Sequence, residues 1–226
     1  MLIPKFTTFT GADDQTSIAD MKALAADHPV EFGILFSRSR EGDVRYPTQD
    51  WMKGLDGSGL NLAAHVCGVW ASQIVETGRS DIDDRLLAFG RIQVNTAQPI
   101  DREMMIDWAG RLSHAAGRTI PIILQSRGAF PDDPAFHWLE DRSGGRGVAP
   151  GSWPAPPSDL SVTFGYAGGL GPDNVAEVLG SLPHSAGVWI DMESRVRDAE
   201  DRFDLKLCAK VCETVATFRQ DKDMTP

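Results

Sequence analysis

Apolar and polar positions follow two alternating patterns along this chain, which predict strands followed by helices. Short runs rich in Val, Ile and Phe, such as VEFGILFS and TIPIILQS, are typical of buried strands. Segments such as SIADMKALAADH and DREMMIDWAGRLSHAAG instead repeat their apolar residues at helical spacing. We predict strands in eight segments: LIPKFTTF, VEFGILFS, LNLAAHVCGVW, GRIQVN, TIPIILQS, AFHWLED, LSVTFGY and AGVWIDM.

Helices are predicted between most of these strands. Besides the two segments above, they lie in TQDWMKGL, where Thr48 is a candidate cap, in SDIDDRLLAF, after Pro172, and in FDLKLCAKVCETVATF. The stretch between TIPIILQS and AFHWLED contains Pro131 and Pro134 and is too short for an ordinary helix of about eleven residues. We therefore expect a degenerate fifth helix.

This order of elements predicts an α/β fold, a single (β/α)8 TIM barrel that spans residues 1–226. An open, doubly wound sheet is the alternative. The length of 226 residues and the 42% of hydrophobic residues are sufficient to bury the core of such a domain. SGGRGVAPGSWPAPPSD is the one shift in composition, and it lies where a functional loop of a barrel would lie.

The segment FGYAGGLGPDNVAEVL concentrates glycines between a predicted strand and a predicted helix. Glycine is used where the backbone turns sharply or where another group approaches its amides closely. Amides near the start of a helix also favour negative charge. The segment is therefore a candidate site for a phosphate or carboxylate, and a plain strand-to-helix turn is the alternative.

The balance of charge narrows the class of partner. A formal charge of −10 argues against binding to nucleic acid or to an acidic membrane surface, so a small molecule is the expected partner. Three cysteines, with neither a secretory leader nor an apolar run of membrane length, indicate a cytoplasmic protein. Cys208 and Cys212 share a helical face, which favours core packing over a metal site. No cofactor is expected, and a homodimer is left open.

Several motifs, in one order along nearly the whole chain, resemble the phosphoribosylanthranilate isomerase family of tryptophan biosynthesis. YAGGLGPDNVAEVL is similar to that family's AGGL followed by NV, and VWIDMESRVR is similar to its IDVSSGVE. RIQVN resembles VQLHG, FGILFS followed by VRYPTQDW resembles GF(I/V)F and PRYV, and LEDRSGGRG resembles LLDS and GGTG. PKFTTFTGADD is similar to VKICGIT.

The resemblance implies a site at the carboxyl ends of the barrel strands. In the family, glycines of the last loops hold the substrate phosphate, an aspartate after strand six is the acid, and a cysteine after strand one is the base. By position, Gly168 and Gly169 inherit the phosphate role, Gly144, Gly145 and Gly147 match a further glycine turn, and Asp141 matches the acid. Other candidates near strand ends are Lys5, Arg38, Arg45, His65, Gln93, Asn95, Gln125 and Arg127; Arg45 and Gln93 match family motifs, and His65 also fits a core position.

Two departures put the family reaction in doubt. Thr7, or its neighbour Thr8, stands where the family has the cysteine base, and a hydroxyl of such high pKa is a poor base at neutral pH. In the segment that resembles IDVSSGVE, Glu193-Ser194-Arg195 stands where the family has SSG. The side chain of Arg195 would either bind the anion or occupy the space of the anion site.

The extra carboxylates suggest other chemistry. Two acidic pairs, Glu140 with Asp141 and Asp191 with Glu193, could divide acid and base roles. Alternatively, one member of each pair points into the helix layer. We expect a barrel that binds a small anionic or phosphorylated metabolite and performs isomerase-type proton transfer with Asp141 and with Asp191 or Glu193. The alternatives are an inactive ligand-binding barrel or assembly subunit, and an enzyme that holds a divalent metal on its carboxylates.

Overall fold

Eight parallel strands close into a barrel in the computed structural model of the chain, which describes residues 3–142, 151–157, 161–183 and 187–223. Each strand pairs with the next in chain order, and the last pairs with the first. The strands are β1 (Thr7–Thr10), β2 (Val30–Phe36), β3 (Leu62–Val66), β4 (Arg91–Val94), β5 (Ile122–Ser126), β6 (His137–Glu140), β7 (Phe164–Tyr166) and β8 (Val188–Met192). The predicted (β/α)8 barrel is confirmed, and the open sheet is excluded.

Seven α-helices surround the strands among the described residues. They are α1 (Ile18–Asp27), α2 (Gln49–Lys53), α3 (Gly68–Thr77), α4 (Asp83–Leu86), α5 (Arg102–Ala116), α6 (Val175–Ser181) and α7 (Leu205–Asp223). The predicted cap Thr48 accepts a hydrogen bond from the amide of Trp51, and α5 ends at Gly117 in the left-handed conformation. No helix separates β5 from β6 among residues 127–136, all of which are described, as the short proline-containing stretch predicts.

The third predicted strand extends too far. GVW in LNLAAHVCGVW does not continue β3, because the chain turns at Gly68, with φ of 61°, and begins α3 there. Trp70 and Ile74 then face the core at helical spacing. An apolar run that crosses a strand and a helix is ambiguous between the two periods, which explains the error.

The amino-terminal end of the barrel is filled by a buried ion pair. Arg91 of β4 donates to Glu31 of β2 from Nε (2.9 Å) and Nη2 (2.6 Å), and its guanidinium contacts the rings of both Phe6 and Trp189, which stack on each other. Thr8 donates a further hydrogen bond to Glu31. Because this end is packed, space for a ligand remains at the carboxyl ends of the strands.

Within the described part of the chain, no helix is long and apolar enough to cross a membrane.

Candidate functional site

A cavity of about 580 Å³ lies at the carboxyl ends of the strands. This is the end at which barrels of this architecture carry their active sites. The predicted site residues that line it are Arg45, His65, Gln93, Asn95, Gln125, Arg127, Asp141, Gly168, Gly169, Asp191, Glu193, Ser194 and Arg195. The structure thus brings together residues from the ends of six strands, β3 to β8, and from the loop after β2.

Asp191 of β8 is a buried carboxyl group on the cavity wall, as Asp141 is. Its side chain points into the barrel and accepts a hydrogen bond of 2.8 Å from Thr10 Oγ1. Burial raises its pKa from the ordinary value of 3.8 to about 7, and the negative charges of Glu193, Glu31 and Asp141 act in the same direction. A carboxyl group with this pKa can both accept and release a proton near neutral pH.

Gly33 of β2 leaves room for two side chains, Thr10, which contacts Asp191, and His65. A Cβ atom at Gly33 would lie 2.3 Å from Thr10 Oγ1 and 2.9 Å from His65 Nε2. His65 is buried, and burial together with the charge of Arg91 lowers its pKa to about 3, so the imidazole is neutral at physiological pH. Thr10 was missed by the sequence analysis, although its place after Thr8 on alternate positions of β1 was the available signal.

The first acidic pair divides between the two faces of β6. Asp141 lines the cavity and is buried, and its amide donates to the carbonyl of Ser126 at 3.0 Å. Glu140 is fully buried away from the cavity, and the Nε of Arg142 lies 2.6 Å from its Oε1. The alternative that one member points into the helix layer therefore holds for this pair.

The second pair, Asp191 with Glu193, lies two residues apart, and both carboxyl groups reach the cavity. Glu193 is engaged there, because Arg45 Nη1 donates to its Oε1 at 2.7 Å. Arg45 also donates to both carboxylate oxygens of Asp201, at 3.2 and 2.7 Å, and makes a longer contact of 3.4 Å with the hydroxyl of Ser194. Arg45, which matches the arginine of the family's PRYV motif, is thus paired with carboxylates of the protein itself.

The loop after β7 has the backbone that its glycines predict. Gly168 and Gly169 adopt φ of 102° and 66°, which side chains rarely tolerate. Asn174 fixes the turn, since it donates to the carbonyl of Gly169 and accepts from the amide of Gly171, both at 2.9 Å. Arg195 packs directly over Gly171, where an added Cβ would lie 2.5 Å from the Cβ of Arg195.

Two predicted residues lie at the other end of the barrel. Lys5 donates its amide to the carbonyl of Val188, at the start of β8, and is exposed there. Thr7 lines a separate hollow with His28 and Cys212, between β1 and the helix layer. The structure therefore does not bring Lys5 or Thr7 to the cavity. Gly144, Gly145 and Gly147 lie outside the described residues.

The wall of the cavity formed by β3 and β4 carries uncharged polar groups. Gln93 is 3% exposed, and its Nε2 donates to Asn95 Oδ1 at 2.7 Å. Asn95 Nδ2 in turn donates to Cys67 Sγ at 3.1 Å. Cys67 was not predicted as a site residue. Burial raises the pKa of its thiol to about 11, so it is not a thiolate at neutral pH.

Among residues 3–142, 151–157, 161–183 and 187–223, no group of three or more His, Cys, Asp or Glu side chains could hold a metal ion. The described carboxylates therefore give no support to the divalent-metal alternative.

No protein-family model matches the sequence, and no curated protein matches it. Solved structures do match the fold. Phosphoribosylanthranilate isomerase from Thermus thermophilus superposes with a TM-score of 0.61 at 16% identity, covering 94% of this chain and 98% of that chain. The isomerase from Thermotoga maritima superposes with a TM-score of 0.58 at 12% identity, covering 96% of this chain and 100% of that chain. The isomerase from Pyrococcus furiosus superposes with a TM-score of 0.54 at 16% identity, covering 94% of this chain and 98% of that chain.

The chain has the fold of the phosphoribosylanthranilate isomerases. At identities this low the likeness concerns the fold, and the chemistry of the cavity is set by the chain's own side chains.

Proposed function

We propose that this barrel, with its phosphoribosylanthranilate isomerase fold, binds a small anionic metabolite and catalyses isomerase-type proton transfer on it. The observation that carries the proposal is the buried Asp191, whose carboxyl group has a pKa of about 7 and lines a cavity of about 580 Å³. Carboxyl groups tuned towards neutral pH by burial are characteristic of general acids and bases.

The anion binds at the end of the cavity formed by the loops after β7 and β8. Gly168 and Gly169 line the cavity, and no hydrogen bond within the described chain uses their amides. Arg195 lies beside them over Gly171, where its guanidinium can replace the amides that the family's strand-eight glycine would supply. A phosphate group, which accepts several hydrogen bonds at once, fits this combination of donors.

Proton transfer is assigned to Asp191 and Asp141. In the first step Asp191, as the carboxylate, removes a proton from carbon, and Asp141, across the same cavity, supplies one to oxygen. In the second step Asp191 gives its proton to the neighbouring carbon and Asp141 takes one back from the neighbouring hydroxyl group, so both carboxyl groups regain their starting states before the product leaves. Glu193 is not assigned a role, because its Oε1 already accepts a hydrogen bond of 2.7 Å from Arg45 Nη1. The thiolate mechanism of the family is not proposed, since Thr7 is at the far end and the Cys67 thiol stays protonated.

The experiment is deuterium incorporation from D₂O into ribulose 5-phosphate and into phosphoribosylanthranilate, followed by proton NMR. The wild-type protein should exchange a carbon-bound proton of at least one of these substrates. Asp191→Asn should lower the rate by about 10²- to 10⁴-fold while leaving the dissociation constant of the same compound nearly unchanged. Asp107→Asn, an exposed aspartate on α5, is the matched control and should exchange at the wild-type rate.

Binding without exchange by the wild-type protein would contradict the catalytic role and favour the inactive ligand-binding barrel. Absence of binding by either phosphate ester, and by inorganic phosphate in a thermal shift, would contradict the anion site as well. If Asp191→Asn exchanges the proton at the wild-type rate, the base is a residue other than Asp191.

A further inference from the structure

The two sides of the cavity differ in charge. On the side where the proposed anion binds, at the ends of β6 and β8, lie the charged residues Asp141, Asp191, Glu193 and Arg195. The opposite side, at the ends of β3, β4 and β5, presents Cys67, Gln93, Asn95 and Gln125, which are uncharged and able to form hydrogen bonds. The exposed Arg127 at the rim is the exception on that side.

We propose that this side, the amide wall of Gln93, Asn95 and Gln125, is a subsite for the neutral, hydroxyl-bearing part of the ligand. The ligand is then a polyol or sugar monophosphate without an aryl group. This inference rests on the proposed function, because the proposed anion site fixes the other end of the ligand.

Gln93 is the residue that decides the chemistry of the wall. It is 3% exposed, and its donor group is committed to Asn95 Oδ1, so its carbonyl oxygen is left as the acceptor. That oxygen has no hydrogen-bond partner within the described residues, and the side chain lines the cavity. Asn95 is itself fixed by its contact with Cys67, so the oxygen of Gln93 is held in place.

An acceptor that is held in place on the cavity wall selects for a ligand that carries a donor. A hydroxyl group would satisfy the Gln93 oxygen, whereas an aryl ring placed against it would remove water and offer nothing in return. Sites built to hydrogen-bond a hydroxyl group discriminate strongly against analogues that lack it.

The aromatic side chains of the protein do not offer a place for an aryl ring either. Among the described residues, Tyr46 is the one aromatic side chain on the cavity wall, and the guanidinium of Arg40 lies over its ring at 4.4 Å. Trp70, Trp138 and Trp153 do not line the cavity and pack with the apolar side chains of the core instead.

The test compares three probes by isothermal titration calorimetry: inorganic phosphate, ribitol 5-phosphate and phenyl phosphate. The wild-type protein should bind ribitol 5-phosphate at least about tenfold more tightly than either of the others, the size expected when one or two hydrogen bonds to a fixed acceptor are gained. Gln93→Leu should remove about that tenfold advantage and leave the affinity for inorganic phosphate unchanged. Gln49→Leu, which changes an exposed glutamine at the start of α2, is the matched control.

Equal affinity of the wild-type protein for phenyl phosphate and ribitol 5-phosphate would contradict the proposed hydroxyl-binding role of the amide wall, and so would an unchanged preference in Gln93→Leu. Neither result would contradict the proposed anion site. Failure of all three probes to bind would overturn the anion site and this inference with it. Thermal unfolding of Gln93→Leu checks its fold, and Gln125→Leu, with the same expected loss of preference, serves if that variant does not fold.

Discussion

At the scale of the residue, the buried carboxyl group of Asp191 costs folding free energy whenever it is charged. The unfolded chain releases this proton near the ordinary pKa of 3.8, and the folded protein keeps it to about pH 7. Between these values the folded state therefore binds more protons, and its stability falls as the pH rises. The group that enables proton transfer is thus a local source of instability.

Replacing Asp191 by Asn should remove this cost. The free energy of unfolding of Asp191→Asn, relative to wild type, should increase between pH 4 and pH 8 by up to about 4 kcal/mol, because about three pKa units separate the two states. Urea unfolding at a series of pH values measures this difference. Asp107→Asn is the control and should show no such trend. If Asp191→Asn shows no trend either, the pKa of the Asp191 carboxyl group is not raised in the folded protein.

The positions of individual site residues were predicted less well from the sequence than the strands and helices were. The motif PKFTTFTGADD places a threonine at the base position, but a shift of register along a strand moves a side chain from one face to the other or from one end to the other. The structure brings Thr10, and not Thr7, against Asp191. By contrast, Asp141, Asp191 and Gly168 reached the cavity as predicted, since they follow strands whose ends the sequence marks clearly.

At the scale of the element, one ionic network ties together the loops after β1, β2 and β8. Arg197 is 1% exposed and donates to the carbonyl of Gly11 at 2.7 Å and to Asp13 Oδ2 at 3.2 Å. Asp13 also accepts from the amide of Arg45, whose φ is 77°. A non-glycine residue in this conformation is held by its surroundings, so the network shapes one side of the cavity mouth.

Arg197→Met should destabilise the protein by about 3 to 5 kcal/mol, because it leaves Asp13 as a buried charge without its cationic partner. Arg202→Met is the control: Arg202 is 54% exposed, and solvent screens its pairs with Asp198 and Glu200, so its loss should change the stability little. Urea denaturation of both variants checks the comparison. A similar, small effect in both would show that the network does not hold the loops.

This network could not have been predicted from the sequence. Its members are separated by up to 188 positions, between Asp13 and Asp201, and meet only after the barrel closes. The helix cap Thr48, in contrast, acts within three residues of its own position and was predicted from the sequence. Ser17 and Asp101, which were not predicted as caps, act over the same short range.

At the scale of the whole molecule, the barrel is closed at one end and open at the other. The Arg91–Glu31 pair and the rings of Phe6 and Trp189 fill the amino-terminal end. The carboxyl end holds a cavity with a charged side and an amide side. The closed barrel was predictable, because alternating strands and helices have few compact solutions. The division of the cavity into a charged side and an amide side was not predictable, because it depends on which alternate residues of eight strands face inwards.

The most direct test of the account is the titration of Asp191 itself by carbon-13 NMR, in protein labelled at the aspartate carboxyl carbons. Asp191→Asn assigns the resonance, because one signal should disappear in that variant. We predict that this signal titrates with a midpoint near pH 7. A midpoint near 4, the ordinary value for an aspartate, would contradict the assignment of Asp191 as the proton-transfer group of the cavity.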